Sequence, residues 1–186
     1  GIWGEVQILG RRSRRGLSEA RRFAAAEAVL RESEREATRE KRKGVDVSRA
    51  EVHIADGEKA LNLRDYPRVR ERAKDAHDTV REASLLKRAQ DAQASLLLDL
   101  EDLRKMGAES AEFETVLQDL GAAIEARDLA TARRLVTHAR HAAETARENH
   151  YRGVMERSLK VIMLNAARGL DPELGRQLLR QVDDAI

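Results

Sequence analysis

Cysteine is absent from the 186 residues, which excludes disulfides and thiolate metal sites. There are two prolines, and aromatics make up 3%. Strands need Val, Ile, Tyr and Phe in alternation, and nothing past residue 10 shows it. No apolar run approaches the roughly eighteen residues that span a bilayer. Gly1-Ile2-Trp3-Gly4 has neither the apolar length nor the small-residue cleavage site of a signal peptide. Charge of one sign is missing too: 35 basic residues face 33 acidic ones, for a net charge of +2. Intermixed signs mark solvated helix surfaces, and the bulk charge does not point to nucleic acid. None of these features assigns a compartment.

What is present is charge, 37% of the residues, on a background suited to long helices and coiled-coil packing. The stretch Asp65–Gly107 organises the chain. Pro67 suits a first helical turn, where its missing N–H costs nothing, and Gly107 suits the position just past a helix end. Between them Val69, Ala73, Ala76, Val80 and Ala83 recur every three or four residues. After a change of phase the stripe resumes at Ala92, Leu96, Leu100 and Leu103. One helix of this length runs roughly 60 Å, which points to two packing units sharing it.

Residues 1–16 read as a basic N-terminal arm, mobile or weakly helical, with Arg11, Arg12, Arg14 and Arg15 between Gly10 and Gly16. A helix is expected from Leu17, capped by Ser18, with a stripe of Leu17, Ala20, Phe23, Ala24 and Ala28. From Arg31 to Lys43 the pairs Glu32/Arg35, Glu36/Arg39 and Glu40/Lys43 stand at i,i+3, each stabilising a helix by roughly a few tenths of a kcal/mol. That half has little to bury and stops at Gly44. Further helices are expected over 48–63, 110–126 and 129–168. A last one, Pro172–Ile186, is capped by Asp171.

The punctuation is periodic. Gly44, Gly107 and Gly169 recur at a nearly constant step, and Arg64-Asp65 recurs at the same step as Arg127-Asp128. Apolar positions follow it: Ile54, Leu117 and Leu179; Ala60, Ala123 and Ala185; Leu61, Ile124 and Ile186; Leu96 and Leu159; Leu100 and Met163. This reads as an internal repeat of about 63 residues, nine heptads, so one register can carry through. The expected fold class is all-α: tandem antiparallel three-helix bundles sharing long continuous helices. The boundaries are an arm at 1–16, repeat 1 at 17–84, repeat 2 at 85–147 and a partial repeat 3 at 148–186. Over residues 17–186 this architecture resembles spectrin repeats and the tandem three-helix modules of some bacterial surface proteins. The resemblance is one of topology, and it transfers no functional residue. Tetratricopeptide repeats, with a period of about 34 and shorter helices, do not fit. Because the chain opens on Gly1 and both ends fall near equivalent points of the repeat, it reads as a segment of a longer array. Open bundle ends are expected to associate with one another or with other proteins.

Candidate chemistry is sparse. His138 and His141 stand at i,i+3 with Glu144 three residues on, groups that zinc sites use. The stripe Ala132, Val136, Ala139 and Ala143 turns them towards solvent, and Arg134 repels a cation, so no metal site is assigned. His53, His77 and His150 read as surface or boundary residues. Arg11, Arg12, Arg14 and Arg15 are the residues suited to phosphate or partner contact, which would be salt-sensitive and independent of sequence; no aromatics interleave for base stacking. Phosphate loops, Gly-x-Ser-x-Gly and His-Glu-x-x-His are missing, which argues against an enzyme and against a cofactor. Repeat 2, with Leu96, Leu97, Leu98, Leu100, Leu103, Val116, Leu117 and Leu120, is expected to be the stable centre, and repeat 1 the weakest.

The expected function is therefore a non-enzymatic structural or interaction segment, a helical-repeat spacer or scaffold rod from a larger protein. The alternatives are a binding module that engages nucleic acid or an acidic surface through Arg11–Arg15, and a ligand-sensing helical bundle. A compact 186-residue globule has a radius of gyration of about 16 Å, whereas bundles stacked over roughly 100 Å give nearly twice that. Small-angle scattering at several concentrations is expected to return the larger value. A radius near the globule's would sink the shared-helix reading.

Overall fold

Small apolar residues at heptad spacing and well-closed helix ends produce the helices α1 (Ile2–Arg42), α2 (Ser48–Asn62), α3 (Tyr66–Met106), α4 (Ala111–Glu125) and α5 (Leu129–Ala167). The structure is a computed structural model that describes residues 2–169 together with 173, 176, 177 and 180, and only the backbone of 2–15 and 167. The described residues are all-α, without strands. The chain divides into two compact units, residues 1–88 and 89–186. The expected cap at Asp171, and most of the helix expected after it, lie outside the described residues.

The first unit contains α1, α2 and the first part of α3. On α1 the buried residues are Ala26, Leu30, Ser33, Ala37 and Glu40, with Phe23 partly buried against them. Their spacing alternates three and four, which keeps them on one face of the helix. The stripe expected from the sequence is out of phase with this seam. Leu17, Ala20, Ala24 and Ala28 are exposed, and the charged half of the helix is not bare. An apolar count misses the seam because two of its members are polar. Both are bonded to α3: Ser33 Oγ donates to Ala73 O at 3.1 Å, and Glu40 Oε2 accepts from Ser84 Oγ at 3.0 Å. The start of α1 differs from expectation as well. Its backbone is helical from Ile2, so Ser18 is no cap. Single glycines cost a helix about 1 kcal/mol each, and arginines between them are good helix formers.

α3 buries Tyr66, Val69, Ala73, Ala76 and Val80 in this unit, and α2 adds Ala50, Ile54, Ala60 and Leu61. Gly57 lets α1 close on α2: a Cβ there would meet Leu30 Cδ1 at 2.7 Å. The Tyr66 hydroxyl donates to Glu19 Oε1 at 2.5 Å, tying the first turn of α3 to α1. That bond is the largest influence holding the Glu19 carboxyl low, with Arg64 beside it, and it raises the Tyr66 hydroxyl in turn.

The second unit contains the rest of α3 with α4 and α5. Here α3 buries Ala89, Leu96, Leu100 and Leu103, α4 buries Phe113, Val116, Leu117, Leu120, Ala123 and Ile124, and α5 buries Ala132, Ala139, Ala142, Ala143 and Ala146. Leu97 and Leu98, expected in this core, are exposed: consecutive helical residues diverge by about 100°, so neighbours of a buried Leu96 face elsewhere. Arg147 joins Asp99 at 2.7 Å between α5 and α3.

The two cores correspond position by position. Ala50, Ile54, Ala60 and Leu61 have buried counterparts one period on in Phe113, Leu117, Ala123 and Ile124. Val69, Ala76 and Val80 have theirs in Ala132, Ala139 and Ala143. Sizes are exchanged in places: Leu120 stands where Gly57 does, and Gln93 where Leu30 does. The helix ends correspond too. At Gly44 (φ +80°), Gly44 N donates to Lys41 O at 3.0 Å and Val45 N to Glu40 O at 3.2 Å. This is the closure in which a left-handed residue satisfies the last carbonyls. Gly107 (φ +74°) is closed in the same way, as are Arg64 (φ 58°) and Arg127 (φ 55°) without a glycine. The next helix is then capped by an aspartate: Asp65 Oδ1 accepts from Arg68 N at 3.3 Å and Asp128 Oδ1 from Thr131 N at 3.0 Å.

One contrast sets the stabilities apart. Ser33, Ala37 and Glu40 occupy the places that Leu96, Leu100 and Leu103 fill one period later, and all six are buried. Leu to Ala in a core costs about 2–5 kcal/mol. Amide hydrogen exchange is therefore expected to be faster in residues 24–43 than in 92–106; equal protection of the two stretches would overturn this ranking.

Candidate functional site

The sequence points to the arginines near the N-terminus and to the histidines as candidate chemistry. Arg11, Arg12, Arg14 and Arg15 lie on the α1 backbone, and their side chains lie outside the described ones. His138 and His141 are both exposed on α5, as is Glu144. The structure brings His138 Nε2 to Glu112 Oε1 on α4 at 3.4 Å. Among the described residues no group of three His, Asp or Glu side chains is placed to hold a metal ion. His150 stacks edge-on against Tyr151, with ring centroids 5.9 Å apart. His53 Nδ1 and Arg72 Nε are buried without a hydrogen-bond partner.

One described polar cluster was not assembled by sequence reasoning. Between α1 and α3 an open groove of about 470 Å³ is lined by Glu36, Glu40, His77, Arg81, Ser84 and Arg88, with Leu85 at its edge. Helical spacing puts Glu36 and Glu40 one turn apart on α1, and His77, Arg81, Ser84 and Arg88 on one side of α3. His77 Nδ1 lies 2.6 Å from Glu36 Oε2. Glu40 accepts from Lys43 Nζ at 2.6 Å and from Ser84 Oγ. Of the three ion pairs expected along α1, Glu40/Lys43 and Glu32/Arg35 form, the latter at 4.0 Å, while Glu36 is taken by His77. A pairing between residues 41 positions apart leaves no trace in local spacing, so the signal was out of reach.

Serine, histidine and glutamate are the residue types of a nucleophilic triad, but the roles do not connect. Such a triad needs the hydroxyl bonded to the imidazole and the imidazole to the carboxylate. Here Ser84 donates to Glu40, and His77 meets a different carboxylate. The groove is instead a pair of polar clasps joining α1 to α3 beside a core of small residues.

No protein-family model, no curated protein and no solved structure matches this chain. Among the described residues no helix is long and apolar enough to cross a membrane.

The clasp makes stability depend on pH. Lys43, then Ser84, hold the Glu40 carboxyl below the ordinary carboxylate range against the opposing effect of burial. A carboxyl whose folded pKa is depressed stabilises the fold above its unfolded pKa, and that contribution is lost as pH falls through the folded pKa. Asp46, held low by the Ser48 amide and hydroxyl, and Asp128, held low by Thr131, act in the same direction. Thermal stability is expected to fall on acidification through and below the carboxylate range. Glu40→Gln should be less stable than the parent at neutral pH and show a shallower acid loss; an unchanged acid slope would remove Glu40 from this account.

Proposed function

We propose that this chain is a non-enzymatic structural or interaction segment built from tandem three-helix modules, serving as a spacer or scaffold within a larger protein. The observation that carries the reading is the coincidence of three features at one period. Left-handed helix closures recur at Gly44 and Gly107 and at Arg64 and Arg127. Aspartate caps recur at Asp65 and Asp128. Buried positions recur through α2 and α4 and through the starts of α3 and α5. A backbone that repeats its turns, caps and core at nine heptads can be lengthened by whole units, since each unit repeats the register of the last.

The side-chain chemistry supports the same reading. The carboxylates of the α1–α3 groove are bonded to His77, Ser84 and Lys43, and several ion pairs are i,i+3 pairs on exposed faces, such as Arg31–Glu34 and Lys105–Asp102. Such pairs keep a helix solvated and contribute little stability each. The all-α bundle is the coarse feature shared with spectrin-like architecture, and the spectrin-like repeat itself is part of this proposal.

A variant with residues 44–106 duplicated in tandem tests the reading. A spacer gains a fixed length per added unit, so its maximum dimension in X-ray scattering should rise linearly with the number of units and its helicity in proportion. Growth along the compact-globule law, in which radius rises only as about the 0.38 power of length, would count against a spacer.

A further inference from the structure

We infer that a groove between α1 and the start of α3 binds the phosphate group of a small anion, a phosphate monoester or a polyphosphate. The groove holds about 430 Å³ and is lined by Leu17, Ser18, Arg21, Arg22 and Ala25 on α1 and by Arg70 on α3. It lies within the first unit, and all six of these side chains are described. Three guanidiniums and a hydroxyl therefore line one space, and no carboxylate lines it. The sign of the ligand follows from that lining. The groove beside Glu36 and His77 differs in kind, because two carboxylates line it together with its cations.

The three cations are not answered from within the fold. Residues three and four apart share a helix face, and elsewhere they often pair, as in Arg31–Glu34 and Arg72–Asp75. Arg21 has Leu17, Ser18, Ala24 and Ala25 at those spacings, and Arg70 has Tyr66, Pro67, Ala73 and Lys74, none of them acidic. Arg22 has one acid there, Glu19. That carboxylate is already engaged: it accepts from the Tyr66 hydroxyl and pairs with Arg64 at 3.5 Å. Among the described residues no carboxylate forms an ion pair with Arg21, Arg22 or Arg70.

The chemistry of the donors narrows the class. A guanidinium presents a planar fork of N–H donors that matches the oxygens of a carboxylate or a phosphate. One carboxylate brings two oxygens and a single charge, whereas a phosphate monoester brings three oxygens and a charge of about −1.5 to −2 at pH 7. Three guanidiniums on one groove match the second. Leu17 and Ala25 add apolar wall, and walls of low polarity focus the field of charges of one sign. The volume falls in the range of small-molecule sites, about 300–1,000 Å³. All three arginines are exposed, so salt screens the contact. Arg11, Arg12, Arg14 and Arg15 form no part of this site.

Calorimetric titration of the full chain with tripolyphosphate at low ionic strength tests the inference. One saturable site is expected, weakening as salt rises. Arg21→Gln and Arg70→Gln, one on each helix, should each weaken it about tenfold, the effect of one hydrogen bond to a charged group, with unchanged helical circular dichroism. Arg70→Lys keeps the charge but loses the fork, and should weaken binding too. Arg140→Gln, at an exposed position on α5, removes the same net charge and should bind as the parent does. Vesicles of phosphatidylcholine with and without phosphatidic acid identify the source of the phosphate. Capture by the phosphatidic acid vesicles alone, reversed by tripolyphosphate, assigns it to a lipid headgroup; no capture assigns it to a soluble anion. Absence of saturable heat overturns the inference, as does a loss with Arg140→Gln equal to that with Arg21→Gln. Binding that survives Arg21→Gln and Arg70→Gln but is lost when Arg11, Arg12, Arg14 and Arg15 are all replaced by Ala also overturns it. A DNA duplex bound more tightly than tripolyphosphate overturns the small-anion class.

Discussion

The helix that belongs to two cores is the constraint on which the rest of this structure depends. α3 keeps an unbroken hydrogen-bonded backbone over 41 residues, so no turn within it can re-aim a side chain. It nevertheless buries Tyr66, Val69, Ala73, Ala76 and Val80 in one unit and Ala89, Leu96, Leu100 and Leu103 in the other. Within each set the spacing keeps heptad time, and the register changes between Ala83 and Ala89. The elements around it inherit this timing. α2 and α4 are both 15 residues long and end in the same left-handed closure. Arg64 and Arg127 take that conformation without being glycine, at a cost of roughly 1–2 kcal/mol that the two closing hydrogen bonds help to offset.

The first unit solves the packing problem differently from the second. Where leucines fill the seam of α3, the corresponding seam of α1 holds Ser33, Ala37 and Glu40. Burial of a hydroxyl or a carboxylate is tolerated only when its hydrogen bonds are made. Ser33 meets this condition through the Ala73 carbonyl, and Glu40 through Ser84 and Lys43. These bonds are directional where leucine contacts are not, so they specify how α1 lies on α3 while contributing less burial energy. Local opening in a folded protein is drawn from regions of few buried apolar contacts, and the polar seam of α1 is the place where this half of the chain has fewer of them.

The same condition is met by the polar cluster between α1 and α3. The two carboxylates of the described groove are answered across the α1–α3 seam by an imidazole and a hydroxyl. The proposed spacer role rests instead on turns, caps and buried positions that recur at one step along the chain.

Periodicity is the part of this protein written locally. The all-α class, the turns at Gly44, Arg64, Gly107 and Arg127, and the stripe Val69–Val80 follow from residue spacing and from glycine, aspartate and proline at helix ends, because each depends on neighbours within a few positions. The candidate site does not follow. The Glu36–His77 and Glu40–Ser84 contacts join residues 41 and 44 positions apart, and only the packing of α1 on α3 brings them together. The seam of α1 is hidden for the same reason. Ser33 and Glu40 look like surface residues until a neighbouring helix supplies their hydrogen-bond partners, and Leu97 and Leu98 look like core until the neighbouring helices bury Leu96 and leave them to solvent. Sequence alone determined where most of the helices begin and end. Tertiary structure decided which face of each is inside, since burial is a property of two surfaces and a single helix carries only one of them.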